Sequence, residues 1–349
     1  MKYGSFDTDE SGVFIIAELS ANHNRDLEVA VNTIKAMKDT GADAVKIQTY
    51  TPDSITIDCD NEFFQINNGS LWDGTTLYSL YETAYTPYEW QAKLQQITLD
   101  MGLEFLSSPF DNHAVDFLED LNVPVFKIAS FEIQDIPLIA YAASKGKPII
   151  ISTGIAEEKD IKLAVDTCRA VGNNDITLLK CTSAYPATID QANLATMVDM
   201  KSKFNVAVGL SDHTIGMTVP MTAAALGAEV IEKHFILDRA LGGPDAAFSL
   251  NPQEFTEMVN AVRQVESAKG DVTYELSEKV KANRQFSRSL FAVKEIKAGE
   301  IFTNDNVRSI RPGYGLHPKY LSQIEGTKAL VDIAFGSPLS MDHIKTELD

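Results

Sequence analysis

Eight short apolar runs alternate with helix-like segments across residues 14–270 of this 349-residue chain. The runs read FIIAEL (14–19), AVKIQTY (44–50), EFLSSPF (104–110), VFKIAS (125–130), PIIISTG (148–154), ITLLKCTS (176–183), VAVGLSD (206–212) and VIEKHFI (230–236). Between them lie stretches such as DLEVAVNTIKAMKDTG and EEKDIKLAVDTCRAVG, with apolar residues at helical spacing. Eight strand–helix units over about 250 residues are what a (β/α)8 TIM barrel requires. The predicted organisation is α/β: a catalytic barrel over 1–270, a linker over 271–288 and a small β-rich domain over 289–349. Barrel chemistry is built on the face formed by the carboxyl ends of the strands. Glu18, Lys46, Gln48, Ser108, Lys127, Ser130, Ser152, Ser211, His213 and His234 all fall at or near that face.

The formal net charge of −19 leaves no basic stripe for nucleic acid. It also makes lysines at strand ends informative, because an acidic protein needs local cations to hold an anionic substrate. No run approaches the roughly 18 apolar residues of a membrane span, and MKYGSFDTDE lacks the layout of a signal peptide. Cys59, Cys168 and Cys181 are odd in number and far apart, which disfavours a disulfide framework or a CxxC metal site. A reducing, cytoplasmic compartment is expected.

Two departures from the repeat carry information. Residues 51–87 form a long connection rich in aromatics (Phe63, Phe64, Trp72, Tyr78, Tyr81 and Tyr85), too many for a disordered linker. Emerging on the catalytic face, it is expected to be a lid or pocket wall. After Gly270, LSEKVKANRQF reads as a short helix, followed by strands and turns. There AVKEIKAGEIFTNDNV (292–307) aligns without gaps to ALVDIAFGSPLSMDHI (329–344), pairing Ala292 with Ala329, Ile296 with Ile333, Gly299 with Gly336 and Asp305 with Asp342. A duplicated β-domain accounts for this. Its core is small, so docking on the barrel or on a second subunit would help to stabilise it.

His213 and His234 end consecutive strands, seven and eight, which are neighbours in a closed barrel. Two neutral imidazoles converging there suit a divalent cation such as Mn²⁺, Co²⁺, Zn²⁺ or Mg²⁺. Glu232 and Asp212 are the expected acceptors that orient the rings. Lys46 and Lys127 interrupt apolar strands, at a cost unless each ammonium meets an anion or reaches water. With the hydroxyls of Ser108, Ser130, Ser152 and Ser211 they describe a site for a phosphate and a carboxylate together. Neither GxxxxGK[ST] nor GxGxxG is present, so a small phosphorylated acid is expected rather than a nucleotide. Glu18 faces this cationic pocket and is placed to accept a proton. Metal-dependent hydrolase barrels carry an HxH pair on the first strand, where this chain reads AEL.

AELSANH, KIQTYTPDS, SSPFD, KIASFE, STGI, KCTSAYP, GLSDHT, VIEKHF and FSL occur in this order, followed by RSLFAVKEIKAGE and RPGYGLHPKYL. Over essentially the whole chain this resembles the sialic acid synthase family, with an antifreeze-like (SAF, β-clip) domain after the barrel. AELSANH, KIASFE and LWDGTTLYSLYETAYTPYEW resemble its pseudaminic branch, whereas GPDAAFSL resembles the neuraminate branch. The resemblance implies a transferase that condenses phosphoenolpyruvate with an open-chain amino sugar and releases phosphate. The sugar implied is 2,4-diacetamido-2,4,6-trideoxy-L-altrose, with the N-acetylneuraminate and legionaminate precursors as alternatives. It implies that His213 and His234 hold a divalent metal, Mn²⁺ first, with Co²⁺ or Mg²⁺ as alternatives. The implied catalytic set is Glu18, Lys127, His213 and His234. Lys46, Ser108, Lys127, Ser130, Ser152 and Ser211 match positions for phosphoenolpyruvate. Gln48, Glu132, Tyr185, Asp245 and Arg311 match positions around the sugar and the attacking water. Arg311 is implied to act across a swapped homodimer. A metal-dependent aldolase or lyase, and a non-catalytic carbohydrate- or ice-binding protein, are the competing readings.

Overall fold

The computed structural model describes residues 1–67, 69 and 71–344. The chain divides into two compact units, Met1–Gly270 and a second that begins at Asp271.

In the first unit eight parallel strands close into a barrel: β1 (Phe14–Glu18), β2 (Ala44–Thr49), β3 (Glu104–Pro109), β4 (Phe126–Ile128), β5 (Ile149–Ser152), β6 (Ile176–Cys181), β7 (Ala207–Asp212) and β8 (Val230–His234). Strand β8 closes on β1 in a register that sets His234 beside Glu18. The surrounding helices begin where the sequence supplies caps. Asp26 accepts from the N–H groups of Glu28 and Val29 ahead of Leu27–Asp39. Asn251 and Glu254 form a reciprocal capping box, with Pro252 in the first turn, ahead of Pro252–Lys269.

Successive strand residues point to opposite faces, so each strand serves two environments. Ile15, Ala17, Val45, Ile47 and Phe105 face outward and pack under the helices. Phe14, Ile16, Ala44, Leu106, Ile150 and Leu179 fill the lower barrel interior. Each such side chain stabilises by about 1.5–3 kcal/mol on burial. An N-terminal hairpin, Lys2–Tyr3 with Phe6–Asp7, closes that end. Tyr3 stacks on Phe14 at 4.9 Å and its hydroxyl meets Thr177 Oγ1 at 2.6 Å. The apolar floor leaves charged side chains to the upper end of the barrel.

The described part of the long connection after β2 is structured. It contains helices Pro52–Ile55 and Leu77–Ala84 and a bridge between Gln65 and Thr76.

In the second unit the helix Glu278–Ala282 and a 3-10 turn, Asn283–Phe286, precede the antiparallel pair β9 (Ser289–Ala292) and β10 (Val307–Ile310). The repeat is visible in its hydrogen bonds. Ile296 and Ile333 exchange both backbone bonds, at 2.9 and 2.8 Å. Gly299 N–H donates to Ala329, and the equivalent Gly336 N–H donates to Ala292. Both glycines have positive φ, 86° and 80°, which explains why each copy keeps a residue without Cβ there. Among the described residues no helix is long and apolar enough to cross a membrane.

Candidate active site

Above the apolar floor lies a buried layer of charge. Lys46 Nζ stands 2.7 Å from Glu18 Oε2 and 3.6 Å from Glu232 Oε1, and meets Ser108 Oγ at 3.3 Å. Lys127 Nζ donates to Ser152 Oγ at 2.7 Å and to the Ile128 carbonyl at 3.2 Å, with Glu232 Oε2 at 3.8 Å. Ser211 Oγ donates to Glu232 Oε1 at 3.4 Å. Glu232 therefore sits between the two ammonium groups. Burial pushes Glu18 up to about 7, with Lys46 opposing and Glu232 reinforcing the rise. For Glu232 burial is outweighed by the two lysines, which hold it below the usual carboxylate range. Burial would lower Lys46 as well, but Glu18 and Glu232 outweigh it and raise it. Lys127 is lowered by burial, with Glu232 partly compensating. Lys46 and Glu232 are thus each held in the charged form by their neighbours, whereas burial favours the neutral forms of Lys127 and Glu18.

At the mouth, His213 follows β7 and His234 ends β8, with ring centroids 5.3 Å apart. His213 Nδ1 lies 3.0 Å from the Thr182 carbonyl. A proton on Nδ1 donates there, which leaves Nε2 with a free lone pair. His234 Nδ1 is buried with no hydrogen-bond partner, 3.7 Å from Asp245 Oδ2. Burial, followed by the cations around it, keeps His234 well below the ordinary imidazole range and therefore neutral. Phe248 packs against both rings, at 5.9 and 4.9 Å, and Tyr185 against His213 at 4.4 Å. Among the described residues no cluster of three or more His, Cys, Asp or Glu is disposed to hold a metal. The histidine pair fits a cation whose remaining positions would be filled by water or substrate oxygen. His234 is neutral with an uncommitted Nδ1. For His213 burial is outweighed by Cys181 and the Thr182 carbonyl, which raise its proton affinity, so a metal there would displace a proton.

A cavity of about 730 Å³ opens at this mouth, lined among others by Gln48, Glu132, Tyr185, His234 and Asp245. Gln48 Nε2 donates to Glu18 Oε1 at 3.2 Å and to Ser20 Oγ at 2.9 Å. Burial pushes Glu132 up to about 7, with Lys127 opposing, and its Oε2 is buried without a partner. The connection after β2 supplies a wall, as its aromatics suggested. Trp72 Nε1 donates to the Pro244 carbonyl at 3.0 Å and its ring lies 5.4 Å from Tyr185.

The structure thus gathers Glu18, Lys46, Gln48, Ser108, Lys127, Ser152, Ser211, His213, His234, Glu132, Tyr185 and Asp245 at one end of the barrel. Ser130 is there too, its hydroxyl 2.8 Å from Ser183. Arg311 belongs to the second unit, exposed and followed by a cis bond to Pro312. Two expectations need correction. Glu232 does not orient the histidines but bridges the lysines. Asp212 is turned outward, where it pairs with Lys233 at 2.5 Å and accepts from Thr214. The ring-orienting acceptor of His213 is instead the Thr182 carbonyl. Gly154 was also passed over: a Cβ there would lie 2.1 Å from Ser183 Oγ and 2.6 Å from Ser130 Oγ. Its glycine in STGI was the available signal.

Residues 33–274 match the NeuB family and residues 287–345 the SAF domain. Pseudaminic acid synthase of Campylobacter jejuni is 51% identical over 339 residues, 97% of this chain and 98% of that protein. Pseudaminic acid synthase of Helicobacter pylori is 48% identical, covering 96% of this chain and 98% of its own. N,N'-diacetyllegionaminic acid synthase of Legionella pneumophila is 35% identical, covering 95% and 94%. With a closed eight-stranded barrel, a histidine pair at its mouth and two buried lysines below, the chain belongs to the NeuB family of synthases, joined to a SAF domain.

Proposed function

We propose that this enzyme is a pseudaminic acid synthase. It condenses phosphoenolpyruvate with open-chain 2,4-diacetamido-2,4,6-trideoxy-L-altrose and water, giving pseudaminic acid and phosphate. The observation that carries the reading is the buried pair Lys46 and Lys127, bridged by Glu232 beneath a histidine pair in which His213 is oriented by the Thr182 carbonyl and His234 Nδ1 has no hydrogen-bond partner. Identity of 51% to a pseudaminic acid synthase, against 35% to a legionaminic one, supports the choice of sugar.

In this proposal Lys46, Lys127, Ser108, Ser130, Ser152 and Ser211 hold the anionic groups of phosphoenolpyruvate and offset the charge that grows as phosphate leaves. His213 and His234 would hold a divalent metal, Mn²⁺ in our reading, which would supply Lewis acidity toward the aldehyde oxygen. Gln48, Glu132, Tyr185 and Asp245 orient the sugar so that its aldehyde carbon meets C3 of phosphoenolpyruvate. The new C–C bond leaves C2 electron-poor. Glu18, buried and near-neutral in its proton affinity, takes a proton from water as the water adds to C2. The tetrahedral carbon then breaks its bond to the phosphate oxygen as its hydroxyl becomes the ketone and yields its proton to the departing phosphate. The proton on Glu18 goes to the alkoxide formed from the aldehyde oxygen.

The proposed working unit is a cytoplasmic homodimer in which Arg311 of one copy reaches the partner's sugar. The reducing compartment agrees with three free cysteines. Val272 and Tyr274, almost fully exposed within one chain, agree with a further copy that covers them. Phosphate release measured with three sugars tests the function: the diacetamido-trideoxy altrose, N-acetylmannosamine and the legionaminic precursor. Preference for either of the last two replaces the proposed sugar, and aldol cleavage of a keto acid without phosphate release replaces the reaction.

A further inference from the structure

The helix Leu77–Ala84 has an apolar stripe that no protein core covers. Leu77, Leu80, Tyr81 and Ala84 recur at i, i+3, i+4 and i+7, the spacing of one helix face. All four line the cavity, and no residue of this helix is fully buried. The opposite face is polar and committed elsewhere. Ser79 N–H is capped by Thr76, Tyr78 donates to Asp53, and Glu82 offers its carbonyl to Arg25. An amphipathic helix normally turns such a stripe into a hydrophobic core. Here the stripe turns into a hollow next to catalytic side chains.

Its place around the mouth defines what it meets. Tyr81 lies edge-on to Tyr50, at 5.8 Å, and Tyr50 contacts Phe110 at 5.0 Å. Tyr50 follows β2 and Phe110 follows β3, whereas the histidines follow β7 and end β8. In a closed eight-stranded ring, β3 stands opposite β7. A sugar whose aldehyde carbon is held at the histidines therefore extends its far end toward the helix. In an open-chain hexose the atom farthest from C1 is C6.

We infer that the stripe of Leu77, Leu80, Tyr81 and Ala84, with Tyr50 and Phe110, is the subsite for the C6 methyl group, and that it selects a 6-deoxy sugar over its 6-hydroxy counterpart. This rests on the proposed reaction and adds the residues that set its substrate range. A hydroxyl placed against the Leu77, Leu80, Ala84 and Phe110 part of this wall gives up water and finds aliphatic and ring carbon. Apolar pockets discriminate against an added hydroxyl by up to about 10²-fold.

The test compares 2,4-diacetamido-2,4,6-trideoxy-L-altrose with 2,4-diacetamido-2,4-dideoxy-L-altrose, which differ only at C6, by phosphate release in the full-length enzyme. Wild-type kcat/KM is expected to favour the 6-deoxy sugar by about 10–100-fold. Leu80→Asn, which adds polar partners, is expected to reduce that ratio about tenfold while leaving the KM for phosphoenolpyruvate unchanged. Leu80→Met, similar in volume and apolar, should keep the ratio. If Leu80→Asn does not fold, Ala84→Ser on the same stripe serves with the same expectation. Equal use of both sugars by the wild type, or a ratio untouched by the polar variants, overturns the subsite and leaves the reaction standing. Failure of both sugars to release phosphate overturns the reaction, and the subsite with it.

Discussion

Glu232 Oε2 stands 3.8 Å from Lys127 Nζ and makes no hydrogen bond, although both groups are buried. A pair this open leaves Lys127 with donor capacity directed to Ser152 and to an incoming anion. Glu232 also offsets the mutual repulsion of Lys46 and Lys127. In Glu232→Gln that offset is gone, and Lys127, already lowered by burial, gives up its proton more readily. The KM for phosphoenolpyruvate should rise about tenfold or more, whereas that for the sugar should change little. Breaking a buried pair costs about 3–5 kcal/mol, so denaturant unfolding should shift accordingly and recover in part when phosphoenolpyruvate is added. An unchanged KM for phosphoenolpyruvate would remove Glu232 from the anion site.

His234 offers a nitrogen that no protein group engages, and its neutrality follows from burial among cations. His234→Ala should lose Mn²⁺ affinity by more than the roughly 10–100-fold typical of residues that only orient a ligand. Mn²⁺ titration followed by EPR reads this without turnover. Chelation of the wild type should abolish phosphate release, and added Mn²⁺ should restore it. Full activity in chelator would take the metal out of the mechanism.

Glu18 gives a pH dependence of definite sign. Burial raises its carboxyl to about 7, so it is ionised above that pH and protonated below. If Glu18 is the proton acceptor proposed above, it works only when ionised. The rate kcat/KM should be level above about pH 7 and fall tenfold per unit below it. Glu18→Gln should lower the rate by about 10²–10⁴-fold and abolish that acid limb. Glu132 is raised to a similar value, so Glu132→Gln is the control. It should keep the limb if Glu18 is the base.

The barrel was legible because strand runs and helical spacing agree in every unit, and the strand ends carry the polar residues. Lys46 and Lys127 stood out because a lysine in an apolar strand needs a partner. The partner itself did not. Glu232 precedes His234 by two residues, and the period of a strand puts both on the inner face, one pleat apart. Reading them as neighbours in sequence hid that Glu232 reaches down to the lysines. The same rule turns Lys233 and Asp212 outward, where they pair. The Thr182 carbonyl that orients His213 is a backbone atom at the end of a different strand, and no residue type announces it. The stripe on Leu77–Ala84 was spelled out in LYSLYETA but lay inside a connection. Only the cavity makes it different from core packing.

Arg311 supplies the test of the proposed assembly. It lies in the second unit, exposed, immediately before a cis bond to Pro312. If its guanidinium meets the sugar, Arg311→Ala should raise the sugar KM by about 10–100-fold, the range for a hydrogen bond from a charged donor. The KM for phosphoenolpyruvate should stay near its wild-type value. If the contact is made on the partner's barrel, co-refolding Arg311→Ala with His234→Ala should generate mixed dimers with one intact site. About a quarter of wild-type activity should then return at equal mixing, on the statistics of random pairing into symmetric two-site dimers. A mixture no more active than its components, with subunit exchange verified by mass, places Arg311 on the sugar of its own chain or away from it.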